Sequence, residues 1–195
     1  MRKSEDVLCI HRHSNRNTMN EPDTSLEHVL WAAGPEPTTP VWEGLHDQVM
    51  GGRSRGSAQP KTGNGVEPHH MLFSGQVSRD NGGGFASFRM RLAAPLVIGA
   101  SHAVVLTLRG DGGPFKLCLH RQNDWDGVQW QADLDTSGDW TTHALPLSAF
   151  VARRRGRKVR ERPLSSEDVL FQIGLMMSRP DPGPFWLAVM RIALR

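Results

Sequence analysis

The chain has 195 residues, of which 38% are hydrophobic and 22% charged, with 20 glycines and 13 prolines; that fits one domain and a tail, and favours turns and short strands over long helices. No run approaches the roughly 20 apolar residues that cross a bilayer, which excludes a transmembrane helix. The net charge of +3 is concentrated: seven basic residues against one acid between Arg153 and Arg162 leave the rest of the chain net acidic, so basicity is a local patch and not a property of the fold.

Met1 to Asn20 lacks the apolar core of a secretory signal, and Glu5, Asp6, Glu21 and Asp23 are out of place in a mitochondrial presequence. Two cysteines, Cys9 and Cys118, make no disulfide framework. A reducing, cytoplasmic location is the expectation. Residues 1–40 read as an irregular tail and linker. Within it Ser25 to Ala33 predicts a short helix, Ser25 capping and Leu26, Val29, Leu30 and Ala33 on one face. Gly34 to Pro40, with three prolines, breaks it.

Residues 41–195 read as an all-β domain. Met71 to Val77, Gly84 to Leu92, Ala103 to Arg109, Phe115 to His120 and Val128 to Leu134 each alternate apolar and polar side chains. Gly110-Asp111-Gly112-Gly113-Pro114, Asp126-Gly127 and Thr136-Ser137-Gly138-Asp139 separate them with turn chemistry. Trp140 to Leu145, Phe171 to Met177 and Phe185 to Ile192 follow. Regular short strands without helical segments between them predict a two-sheet sandwich or barrel.

The ordered motifs resemble the complex I intermediate-associated protein 30 family. Trp42 with Asp47-Gln48-Val49-Met50-Gly51-Gly52 and Ser54 is similar to its opening signature. Phe73-Ser74-Gly75, Asn81-Gly82-Gly83-Gly84-Phe85-Ala86-Ser87, Arg109-Gly110-Asp111-Gly112, Trp130 to Leu134, Leu145 to Phe150, Arg155-Gly156, Ile173-Gly174-Leu175 and Gly183 to Leu187 continue in family order. His46 replaces an Asn, and Phe115 and Trp130 stand where the family tends to carry Tyr. The resemblance implies a galactose-binding-like jelly roll and, from its best-known members, assistance in assembling respiratory complex I.

Candidate sites follow from the residues. Asp47 beside paired glycines suits a carboxylate that anchors loop amides, or one that meets a ligand. Gly82 to Gly84 precedes a strand rather than a helix, so it is a hairpin or bulge and not a dinucleotide loop. Arg109 and Asp111 suit an ion pair pinning their turn, or a charged edge. Gln122 to Gly127 is either a hairpin turn at Asp126-Gly127 or a sugar-binding loop in which Trp125 stacks. Lys116, His120, Gln131 and Asp133 share one polar sheet face, a groove if that face is concave.

Cys118 between Lys116 and His120 is a buried strand thiol or, less simply, an activated one. Cys9, His11 and His13 lie in the tail, and His69-His70 would point to opposite faces. No metal, no cofactor and no enzymatic activity are expected. The basic run Arg153, Arg154, Arg155, Arg157, Lys158, Arg160 and Arg162 reads as a solvated loop able to attract phosphates or an acidic protein; the absence of interleaved aromatics argues against nucleic acid. The leading expectation is a non-enzymatic assembly factor that binds a protein partner, such as a respiratory complex subunit. The alternative is a carbohydrate-binding module using the polar sheet face and Trp125.

Overall fold

The computed structural model describes residues 27–35 and 41–195. Cys9, His11, His13, the predicted cap Ser25 and the linker residues Glu36 to Pro40 lie outside them. Thirteen antiparallel strands among the described residues form two facing sheets. In chain order they are β1 (His28–Ala32), β2 (Glu43–Gly44), β3 (Arg55–Lys61), β4 (His70–Val77), β5 (Phe85–Val97), β6 (Ala103–Gly110), β7 (Phe115–His120), β8 (Gln129–Leu134), β9 (Thr141–Pro146), β10 (Val151–Arg154), β11 (Arg157–Lys158), β12 (Val169–Ser178) and β13 (Gly183–Leu194). One sheet runs β3-β4-β13-β6-β9 with β1 added along β13. The other runs β11-β10-β8-β7-β12-β5-β2. Among the described residues no helix is long and apolar enough to cross a membrane.

The period of two sorts the side chains as alternation requires. From the second sheet, Ala86, Phe88 and Met90 of β5, Leu117 and Leu119 of β7, Trp130 and Ala132 of β8 and Leu175 of β12 enter the core. From the first come Phe73, Leu106, Leu108, Leu187, Val189 and Ile192. A chain of rings crosses between the sheets: Trp31 on Trp42 (5.8 Å between centroids), Trp42 on Phe73 (4.9 Å), Phe73 on Phe88 (5.0 Å) and Phe88 on Phe185 (6.3 Å). Offset and edge-on pairs of this kind add to the area they bury.

The helix expected over Ser25 to Ala33 is corrected: His28–Ala32 is a strand, paired with β13 from His28↔Leu194 to Ala32↔Arg191. A register shift between Val29 and Trp31 sends two consecutive side chains, Leu30 and Trp31, into the core. That breaks the alternation a strand would announce and leaves a spacing that mimics a helix face. The basic run is also more ordered than a loop. β10 and β11 form a hairpin whose two turn residues, Arg155 (φ 49°) and Gly156 (φ 76°), are both left-handed, the geometry of a two-residue turn matched to strand twist.

Candidate functional site

The outer face of the second sheet carries the polar halves of its strands. Register aligns them in transverse rows. One contains Arg89, Gly174, Cys118 and Gln131; the next contains Arg91, Gln172, His120 and Gln129; a third contains Ser87, Met176, Lys116 and Asp133. Lys116 and Asp133 are direct cross-strand partners and form an ion pair at the end of the face. Arg89, Cys118, His120, Gln131 and Gln172 are all buried although they point away from the core.

What covers them is the connection from β7 to β8. The turn expected at Asp126-Gly127 is instead part of an eight-residue loop, 121–128, because β7 ends at His120 and β8 begins at Gln129. This loop lies over the face. Gln172 donates from Nε2 to the carbonyls of Gln122 (3.1 Å) and Asp124 (3.2 Å), and Arg89 Nη1 donates to the carbonyl of Trp125 (3.0 Å). The Trp125 ring receives the guanidinium of Arg89 at 5.1 Å and that of Arg91 at 5.2 Å. Arg155, at the tip of the β10–β11 hairpin, clamps Asp126 through Nε (2.9 Å) and Nη2 (2.5 Å). Those hydrogen bonds hold the Asp126 carboxyl below its ordinary range.

Between loop, hairpin and sheet is a cleft of about 570 Å³. Its floor includes Ser87, Arg89, Gln131 and Met176; its walls include Trp125, Arg155 and Gly156; Leu45, Met50 and Phe85 close the remaining side. Met50 is 62% exposed at the mouth. Beneath the loop four side-chain polar atoms are buried without a partner: Arg89 Nε, His120 Nε2, Gln131 Nε2 and Gln172 Oε1. Burial pushes the Cys118 thiol up to about 12, against the pull of Arg89 and Lys116, and lowers His120 to about 3 with Arg89 adding to the effect. The thiol therefore stays protonated and the imidazole neutral.

Asp47 is elsewhere. It is 0% exposed and sits where a 3-10 turn, Asp47–Met50, meets β3 and β5. Its carboxylate accepts from Ser54 N (2.9 Å), Ser54 Oγ (2.5 Å), Gly84 N (2.7 Å) and Phe85 N (3.3 Å). Gly52 and Gly83 pack so closely on it that a β-carbon at either would collide. All of its lone pairs serve the loop, leaving none for a ligand.

The expected Arg109–Asp111 ion pair does not form. Arg109 pairs with Glu67 (2.9 Å) and lies 4.8 Å from the Trp140 ring, while Asp111 accepts from the amides of Gly113 (2.9 Å) and Trp186 (3.3 Å). Arg109 lies on β6 of the other sheet and Asp111 in the turn between β6 and β7, and neither lines the cleft. The basic run divides: Arg154 and Arg155 meet Asp126 and Arg162 meets Asp168, whereas Arg157, Lys158 and Arg160 are exposed and meet no carboxylate among the described residues. A shallower hollow beside Arg121 and Trp130 is bordered by Asp168, whose oxygens are taken up by Arg121, Arg162 and Ser165.

The face thus unites His120, Trp125, Gln131, Asp133 and Arg155 of the sequence candidates, and excludes Asp47, Arg109 and Asp111. It adds Arg89, which sequence reading missed. The signal was present: an arginine on the polar side of a strand whose opposite face is apolar throughout. Among the described residues no group of three or more His, Cys, Asp and Glu converges on a point that would hold a metal.

A model of the complex I intermediate-associated protein 30 (CIA30) family matches residues 32–189. No curated protein matches the chain. Among solved structures, the family 11 carbohydrate-binding module of a cellulosomal cellulase of Clostridium thermocellum superposes with a TM-score of 0.63 at 15% identity, over 86% of this chain and 93% of that one. The same organism's family 11 module in complex with a β-1,3-1,4-mixed-linked tetrasaccharide gives 0.61 at 17% identity, over 86% and 94%. At that identity the likeness is one of fold: a jelly-roll sandwich.

Proposed function

Because this chain belongs to the CIA30 family, we propose that it is a non-enzymatic binding module that docks a protein partner, a respiratory complex subunit or assembly intermediate in the sense of the family's name. The cleft on the outer face of the second sheet is its contact surface, and the work is cytoplasmic. The observation that carries the reading is the cleft itself. It is open, its lining mixes the apolar Leu45, Met50, Phe85 and Met176 with Arg89, Gln131 and Arg155, and such a mixture suits a protein side chain at an interface. A protonated buried thiol and a neutral imidazole of low basicity make Cys118 and His120 poor candidates for nucleophile and base near neutral pH.

The test is affinity capture from a detergent-solubilised lysate, wild type beside Ser87→Trp, which fills the cleft floor. Recovery of respiratory subunits by the wild type and their loss with Ser87→Trp supports the reading. Recovery of nothing above background from either protein refutes it.

A second reading is carbohydrate binding, favoured by one observation: Trp125 stands half-buried in the wall of a cleft on a sheet face. Two guanidiniums already engage its ring, which argues for the first reading. Glycan binding abolished by Trp125→Ala would reverse the order.

A further inference from the structure

The cleft holds a charge without an ion-pair partner. Arg89 is 5% exposed, and no carboxylate among the described residues lies within 4 Å of its guanidinium. The groups in contact with it are neutral, the carbonyls of Trp125 and Asp124 and the indole of Trp125; the Asp124 carboxylate acts on it only from beyond ion-pair distance. Glu43, directly opposite on β2, is exposed and does not pair with it. Arg89 Nε has no hydrogen-bond partner at all. At the far end of the same transverse row Gln131, 4% exposed, has its Nε2 equally unpartnered. Between them stand Gly174 and Cys118, the two smallest side chains of the row.

A buried cation that lacks a partner is costly to fold, and so is a buried amide donor left unsatisfied. Here both border the cleft, and a single ligand group that accepts from both would relieve both. An anion suits the site, because no carboxylate among the described residues forms an ion pair with Arg89. One guanidinium and a neutral amide match a single negative charge, which a carboxylate carries and which it presents as paired oxygens. A sugar ring would offer hydroxyls that need acceptors as well as donors. The rest of the lining sets Leu45, Met50, Phe85, Trp125 and Met176 beside the polar Ser87, Gln129 and Ser178 and the mutually paired Asp126 and Arg155, and Met50 at the mouth is an adaptable apolar contact.

We propose that the cleft takes an acidic side chain from an extended segment of the partner protein, its carboxylate held between Arg89 and Gln131 and its apolar neighbours against Met50 and Met176. This rests on the docking reading above and adds the chemistry of what docks.

The probes are a hexapeptide of alternating leucine and glutamate, its leucine–glutamine counterpart, hexagalacturonate and inorganic phosphate, each titrated against the full chain by calorimetry. The wild type binds the glutamate peptide at least about ten-fold tighter than the glutamine peptide. Gln131→Glu places a like charge against the ligand and lowers that affinity at least about ten-fold, while the thermal midpoint stays unchanged or rises because Arg89 gains an internal counter-ion. Arg89→Met removes the preference for glutamate, and Gln131→Glu carries the test alone if Arg89→Met does not fold. Equal affinity for the two peptides overturns the proposal. So does insensitivity to Gln131→Glu, or tighter binding of hexagalacturonate or phosphate than of the glutamate peptide. Capture of respiratory subunits that survives Gln131→Glu overturns the carboxylate and leaves the docking reading standing; glutamate-selective binding without any captured partner does the reverse.

Discussion

Asp47 turns a glycine-rich junction into a fixed one. Gly52 and Gly83 leave room for its carboxylate, and four hydrogen bonds then tie two separate segments to it, at Ser54 and at Gly84-Phe85. Asp47→Ala removes one acceptor and strands several buried donors, so it is expected to cost about 3–5 kcal/mol, read as a lower denaturant midpoint at unchanged slope. Burial by itself would raise the Asp47 pKa, but the hydrogen bonds from Ser54, Gly84 and Phe85 outweigh it and hold the carboxyl below its ordinary 3.8. Asp168 is depressed in the same way by Arg162, Ser165 and Arg121 against its own burial. A depressed carboxylate stabilises the fold fully above its unfolded pKa and loses that contribution as pH falls through the folded value. Stability should therefore hold down to about pH 4 and fall steeply below it. Asp47→Asn, compared with wild type in acid titrations, should flatten that fall. Cys118 yields the opposite kind of prediction. With its thiol raised to about 12 by burial, it should resist iodoacetamide in a Cys9→Ser background until the protein unfolds, and label quickly in denaturant. Rapid labelling of the native protein would refute the buried-thiol assignment.

At the scale of elements, the loop 121–128 and the β10–β11 hairpin form one roof, joined where Arg155 grips Asp126. The pair is exposed, so Asp126→Ala should leave global stability nearly unchanged while speeding amide exchange through residues 121–128. Gly156→Ala acts on the other half. It puts a β-carbon on a left-handed backbone (φ 76°), and the expected cost is about 1–2 kcal/mol, seen in the unfolding midpoint. The main strands were readable because each buries one face: β7 begins and ends where its alternation does. The edges were not. β3, Arg55–Lys61, is polar, contains Pro60 and pairs on one side only, so it carries little of the hydrophobic signal that marks a strand. β2 and β11 are two residues each. The cleft was half readable. Alternation put His120 and Gln131 on one face, but only the three-dimensional course of 121–128 decides which of them is covered and which borders the cleft. Arg109 and Asp111 misled because adjacency in sequence said nothing about Glu67, which arrives from a distant turn.

At the scale of the whole molecule, both sheets share one core, and the rings from Trp31 to Phe185 link them. Unfolding should be a single cooperative transition in which fluorescence and circular dichroism coincide. β1 belongs to that unit. Trp31→Ala is expected to cost about 3–5 kcal/mol, and deletion of residues 1–33 should lower the thermal midpoint far more than deletion of 1–26. An equal effect would mean that β1 contributes nothing. The place of β13 has a further consequence. It lies between β4 and β6 in its sheet and also carries β1, so residues from opposite ends of the chain meet side by side, His28 against Leu194. A ribosome releases β13 after every other described strand of the sandwich. Until it emerges, β4 and β6 have no partner in common and their edges stand open to other chains. Completion of the sandwich is thus late and non-local, and in the interval holdase chaperones are expected to shelter the nascent chain's open strand edges.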